Sequence, residues 1–208
     1  MRCFIALPLP EGARARLAEA AAALRGADEG GRLHGGDGLG RSERPGRGAG
    51  PRISWTREGG YHITLAFLGE IEAGAAEAAA AALEAAAGFG GIAFRFDGFG
   101  GFPNLASWRV LFAKIEDSGR SAELFGRVDR ALLAGGGRAG SGPQGSGRAG
   151  GKPFLPHVTL ARASSGRAGP GSAAALLEGA WTIGRCALYK SELQRSGAVY
   201  TELRGVDL

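Results

Sequence analysis

Two short segments carry residue types from which acid–base chemistry can be built: His62-Ile63-Thr64 and His157-Val158-Thr159. Each lies in an apolar run that reads as a strand, YHITLAFLG and PHVTLAR. In a strand, residues i and i+2 share a face and lie about 7 Å apart. His62 and Thr64 therefore project together, and so do His157 and Thr159. Ile63, Leu65, Val158 and Leu160 point the other way, into a core. An imidazole titrates near neutrality, so of two facing rings one can hold a proton while the other lacks it. That pairing suits concerted general acid and general base catalysis, worth roughly 10²–10⁴-fold per group. Threonine hydroxyls beside the rings can donate to the non-bridging oxygens of a phosphate, where charge develops.

Nearby residues extend or compete with this reading. The chain has three histidines, and the third, His34, falls in a Gly-rich stretch as a solvated loop residue. No Asp, Glu or Cys sits within either motif. A metal site normally needs a third or fourth protein ligand, so none is expected. Arg162 lies three residues past Thr159. Strict alternation turns it away from His157, but a strand ending there could swing its guanidinium back toward a phosphate. Phe67 has the same parity after His62, and periodicity assigns it to the core rather than to a base.

The elements that must hold these strands can be read from pattern. Residues 2–8 read as a buried strand ended by Pro8 and Pro10, and Glu11 to Leu24 as a helix with Leu17, Ala20, Ala21 and Leu24 on one stripe. Further strands are expected at 52–55, 61–68, 92–99, 109–115, 154–161, 184–192 and 198–203. Helices are expected at 72–87, 121–133 and, briefly, 173–177. The order lacks regular strand–helix alternation. It favours an α+β fold with antiparallel or mixed sheets over a doubly wound parallel one. The two motifs lie 95 residues apart (157 minus 62), each on a strand with a helix behind it. Two copies of one unit, forming two lobes that face each other, are expected.

Composition bounds the rest. A chain of 208 residues with 44% hydrophobic content can bury roughly 70% of its unfolded surface, as one catalytic unit spanning 1–208. Residues 26–50 and 135–152 depart from that average. Both are rich in Gly, interrupt the periodic pattern and read as flexible insertions. The formal net charge of +5 favours nucleic acid, anionic lipid or a small phosphorylated ligand. Cys3 and Cys186 lie in apolar runs and read as buried free thiols. The opening MRCFIALPLPEG is too short for a signal peptide, and no apolar run approaches the ~20 residues that span a bilayer. A cytoplasmic protein without membrane contact is expected.

Taken together, these segments resemble a known family. YHITLAFLGE, PHVTLAR, RCFIALPLPEG, RVLFAKI and LYKSELQRSGAVYTEL look like the bacterial and archaeal LigT-like RNA 2′,3′-cyclic phosphodiesterases. These are also called 2′-5′ RNA ligases and belong to the 2H phosphoesterase superfamily. The resemblance covers nearly everything except 26–50 and 135–152. It implies a two-lobed, pseudo-symmetric α+β fold with the cleft between lobes. It implies hydrolysis of RNA 2′,3′-cyclic phosphate ends, tRNA halves among them, to 2′-phosphomonoesters without metal or cofactor, together with reversible 2′-5′ ligation; a monomer is expected. By position, His62 would be the proton donor to the departing 3′-oxygen and His157 the proton acceptor from water. Thr64, Thr159 and Arg162 would hold the phosphate. Two other readings keep the same residues: a 2H enzyme acting on a small cyclic nucleotide or an ADP-ribose cyclic phosphate, and a non-catalytic RNA-binding module.

Overall fold

The computed structural model describes residues 1–29, 52–136, 153–167, 177–194 and 197–208. Among these residues nine strands and three α-helices follow in chain order: β1 (Arg2–Pro8), α1 (Glu11–Glu29), β2 (Ile53–Trp55), β3 (His62–Glu70), α2 (Ala73–Leu83), β4 (Ile92–Phe102), β5 (Trp108–Glu116), α3 (Arg120–Ala134), β6 (His157–Arg167), β7 (Trp181–Ile183), β8 (Arg185–Gln194) and β9 (Gly197–Asp207). The strands join in one sheet of order β7-β4-β5-β6-β3-β1-β8-β9, with β2 paired to β6 off this path. Every recorded pairing is antiparallel. The α+β expectation stands, and the antiparallel option is the one realised. The two lobes are not separate sheets. They are the halves β7-β4-β5-β6 and β3-β1-β8-β9 of one curled sheet, joined where β6 meets β3.

One face of the sheet carries the core. Ile5, Leu7, Ile63, Leu65, Leu111, Ala113, Val158 and Leu160 are buried there with Leu17 and Leu24 of α1, Leu83 of α2 and Leu124, Val128 and Leu132 of α3. The period-3.6 stripe of α3 is the one its sequence predicts. The start of α3 is fixed by Asp117, whose Oδ2 accepts from the Ser121 amide at 2.9 Å and whose Oδ1 accepts from Gly119 at 3.0 Å. These bonds satisfy amides that the first turn of a helix leaves without intrahelical partners. Cys3 and Cys186 are free and buried, as expected.

Several boundaries differ from the sequence reading. Helix α1 runs on to Glu29, past Leu24 and into the first four residues of the expected insertion. Arg25, inside that extension, lies 5.4 Å from the Trp55 ring centroid, a cation–π contact that ties the helix end to β2. Helix α2 ends at Leu83 and continues only as a 3₁₀ turn over Glu84–Ala86. Strand β7 was not anticipated; its three residues pair with β4 at the sheet edge. Residues 30–50, 137–152 and most of the helix expected at 173–177 lie outside the described residues.

The register contains a repeated irregularity. Along β1 and β3, Ala6 pairs with Thr64 but Ile5 pairs with Ala66, so Leu65 is an extra residue on β3. Along β5 and β6, Phe112 pairs with Thr159 but Leu111 pairs with Ala161, so Leu160 is an extra residue on β6. Both are β-bulges, which break the alternation of side chains and re-aim the residues beyond them. The spacing of 95 residues that relates His62 to His157 also relates Leu65 to Leu160 and Phe67 to Arg162.

Packing at the β4–β5 pair is tight. Gly100 faces Phe112 in the register, and a Cβ at Gly100 would overlap the Phe112 ring. Phe112 in turn packs on His157 with ring centroids 4.8 Å apart. Gly100→Ala is expected to destabilise the protein by about 1–3 kcal/mol, the usual effect of overfilling a packed site. Thermal unfolding of the variant against wild type checks this, and an unchanged midpoint would contradict the packing described.

Candidate active site

Strands β3 and β6 meet at Ile63↔Val158, the middle residues of the two motifs. These residues correspond under the 95-residue repeat, so the local two-fold relating the halves passes through this pair. In an antiparallel pair, neighbours on either side of a partnered position face each other. His62 therefore lies across from Thr159, and Thr64 across from His157. Ile63 and Val158 are fully buried on the core side. By alternation the other four project to the opposite face, and all four line one cleft of about 700 Å³. Volumes of this order hold a small organic ligand rather than a lone phosphate.

Each imidazole is held in the same way. His62 Nδ1 donates to the Gly60 carbonyl at 2.7 Å, and His157 Nδ1 donates to the Leu155 carbonyl at 2.9 Å. A carbonyl oxygen only accepts, so in the neutral ring Nδ1 carries the proton and Nε2 is the basic nitrogen. Each ring also lies between two aromatics. His62 stacks on Phe4 at 4.8 Å and meets Tyr200 edge-on at 5.3 Å. His157 packs on Phe112 at 4.8 Å and meets Phe102 edge-on at 5.4 Å. The carbonyl fixes the tautomer and the aromatics fix the ring plane.

These surroundings also set the protonation state. Enclosure by aromatic rings disfavours an imidazolium, and this desolvation is the main reason His62 is pushed down from 6.5 to about 4. The Gly60 carbonyl opposes the shift, while the positive charges of His157 and Arg162 add to it. His157 is also lowered, chiefly by burial, with the Leu155 carbonyl opposing and Arg162 assisting. Both rings are therefore mainly neutral near pH 7 until an anion enters.

The bulges decide which other residues join the cleft. After Leu160 the parity of β6 is reversed, and Arg162 lines the cleft with His157 and Thr159. After Leu65 the same happens on β3, and Phe67 lines the cleft with His62 and Thr64. Arg162 needs no strand end to swing it inward, and assigning Phe67 to the core by periodicity was incorrect. Phe4, Phe102, Phe112 and Tyr200 around the rings were also missed. Their strands were recognised, but partners across strands cannot be read from spacing along one strand. Among the described residues no Asp or Glu lines the cleft. Among the described residues no group of three or more His, Cys, Asp or Glu is placed to hold a metal ion.

A single curled antiparallel sheet with helices on one face and two matched His-x-Thr strands on the other defines the LigT-like, 2H phosphoesterase class of fold. Residues 57–195 match the 2′-5′ RNA ligase superfamily. The chain is 34% identical to a Thermus thermophilus protein named RNA 2′,3′-cyclic phosphodiesterase, over all of this chain and 90% of that one. A crystal structure of a Thermus thermophilus protein superposes with a TM-score of 0.62 at 33% identity, covering 100% of this chain and 98% of the other. E. coli LigT complexed with 3′-AMP superposes with a TM-score of 0.64 at 21% identity, covering 100% and 97% of the two chains. The chain belongs to the 2′-5′ RNA ligase superfamily.

The depressed histidine has a consequence for stability. A base whose pKa is lowered by folding is protonated more readily in the unfolded chain. Stability is therefore lost as pH falls below 6.5 toward about 4. For His62 the loss is at most on the order of 3 kcal/mol. His62→Gln removes this penalty, so the stability of the variant relative to wild type is expected to rise between pH 7.5 and pH 4. Denaturant unfolding at the two pH values measures it. A relative stability that does not change with pH would mean that His62 is not desolvated as described.

Proposed function

We propose that this protein hydrolyses RNA 2′,3′-cyclic phosphate ends to 2′-phosphomonoesters by general acid–base catalysis between His62 and His157. The observation that carries the reading is the local two-fold at Ile63↔Val158, with His and Thr from both motifs on one cleft wall. A phosphoryl group centred there meets an imidazole from each side. His157 takes a proton from water through Nε2 as the oxygen attacks phosphorus. His62 gives a proton through Nε2 to the departing 3′-oxygen. The Thr64 and Thr159 hydroxyls donate to the non-bridging oxygens, and the Arg162 guanidinium balances the charge that grows on them. Phe67 offers an aromatic face to the base of the terminal nucleoside.

The acid must be loaded before it can act. In the ligand-free cleft His62 holds its proton poorly. An anionic phosphodiester between the rings stabilises an imidazolium and offsets the charge of Arg162. Run in the same direction with a 5′-hydroxyl in place of water, the same two groups form a bond from that oxygen to phosphorus and break the bond to the 3′-oxygen, which joins a cyclic phosphate end to a second strand through a 2′-5′ bond. The function is supported by the superfamily to which the chain belongs and by the name of its 34%-identical relative.

The direct assay is incubation with a nucleoside 2′,3′-cyclic phosphate in EDTA, followed by identification of the product. Turnover to the 2′-phosphate is expected, with kcat falling at least about 10²-fold in His62→Ala and in His157→Ala. Wild-type rates in both variants would sink the two-histidine mechanism, and RNA binding without product would leave a binding module. In wild type kcat/KM needs one ring neutral and one protonated, and both pKa values are lowered. The pH profile should be bell-shaped with its maximum below 6.5, falling about tenfold per pH unit on the alkaline side. A maximum above pH 7.5 would contradict the electrostatics described.

A further inference from the structure

The cleft extends past the two imidazoles to a second cationic end. Strand β1 pairs with β8 as far as Cys3↔Lys190, and continuing that register by one residue sets Arg2 across from Ser191. Strand β8 pairs with β9 so that Ser191 faces Tyr200. Directly opposed residues of a sheet share a face. Arg2, Ser191 and Tyr200 thus form one polar row across three strands, and all three line the cleft. Tyr200 ends the row against His62, ring centroids 5.3 Å apart, so this end lies one aromatic ring from the site described above.

The row has the makings of an anion site. Among the described residues, Arg2 and Arg162 are the two guanidiniums of the cleft wall, and no carboxylate lines it. Burial raises the Tyr200 phenol, and both charges oppose that shift, Arg162 more strongly than Arg2. The β3 neighbour of Arg2 is Glu70, but its carboxylate lies 3.6 Å from the Met1 ammonium, which offsets its charge. Arg2 itself has no ion pair among the described residues. The nearby Lys190 is occupied with Glu192 at 2.8 Å. Beyond the row the wall is Leu193, paired with Ala198 at the tip of the β8–β9 hairpin. Leu193 is 78% exposed, a large apolar side chain held at the rim of a polar cleft.

We infer that Arg2, with the Ser191 and Tyr200 hydroxyls, binds a second phosphate: the one joining the terminal nucleoside of the substrate to its neighbour, whose base rests against Leu193. This rests on the function proposed above. It makes the preferred substrate a cyclic-ended oligonucleotide of at least two residues, entering over β1, β8 and β9 rather than over β5 and β6. Arg2 takes no part in the bond-breaking step. The row supplies contact that a mononucleotide with a free 5′-hydroxyl cannot use.

The test is binding of two product-like ligands, a nucleoside 2′-phosphate and a dinucleotide ending in the same 2′-phosphate, to wild type, Arg2→Gln and Arg2→Lys. Wild type is expected to bind the dinucleotide more tightly. In Arg2→Gln the ratio of the two dissociation constants should collapse roughly tenfold, as for one lost charge-assisted contact. The salt dependence of dinucleotide binding should become shallower by about 0.7 in log–log slope, the share of one phosphate on a single strand. Arg2→Lys should keep the slope. An equal loss on both ligands, or no change in the ratio or the slope, overturns the second phosphate site. Turnover of the matching cyclic phosphates by wild type is the separate arm. No turnover with the binding pattern intact would defeat the proposed reaction and leave the subsite standing.

Discussion

The contact between Ile63 and Val158 is the constraint on which the rest of the cleft depends. Both side chains are fully buried, so neither strand can slide or rotate without exposing its apolar face. A one-residue slip of β6 would carry His157 and Thr159 into the core and bring Val158 and Leu160 out. The apolar residue in the middle of each motif therefore holds the polar residues on either side in place. It fixes the register that sets each histidine across from the other motif's threonine.

The two bulges perform the next step. A regular β6 would send Arg162 to the core side, where a guanidinium would need a partner that the apolar surroundings do not offer. The extra residue at Leu160 brings it to the cleft instead. Its counterpart at Leu65 brings Phe67 to the same cleft. One device, used twice, thus delivers a cation from one half and an aromatic ring from the other. The backbone frame is nearly two-fold, while the ligand environment is not. Tyr200 of β9 beside His62 and Phe102 of β4 beside His157 add to the difference: both meet their imidazole edge-on, one with a hydroxyl and one without, from strands that the two-fold does not exchange.

Much of this was legible in the chain itself. Alternation in HITL and HVTL was enough to put two imidazoles and two hydroxyls on one face, because local strand geometry depends only on the backbone. The apolar stripe of α3 and the buried thiols at Cys3 and Cys186 were legible for the same kind of reason. Parity past a bulge was not, because a bulge is a property of two paired strands and leaves no residue signature in LAF or LAR. The union of the halves into a single sheet was hidden as well. It depends on β6 meeting β3, a pairing made across a long separation in sequence. The extension of α1 through Gly26 ran against composition, and its contact of Arg25 with Trp55 is tertiary.

The central claim is that the two imidazoles present equivalent Nε2 atoms to one phosphoryl group. Nitrogen-15 spectra of the histidine side chains, recorded in EDTA while a nucleoside 2′-phosphate is added, test it most directly. The free protein should show both rings as the Nδ1–H tautomer at neutral pH. On titration the Nε2 signals of His62 and His157 should move together along one saturation curve, at least one of them toward imidazolium. Movement of only one ring, or an Nε2–H tautomer in the free protein, would contradict a shared two-histidine phosphate site.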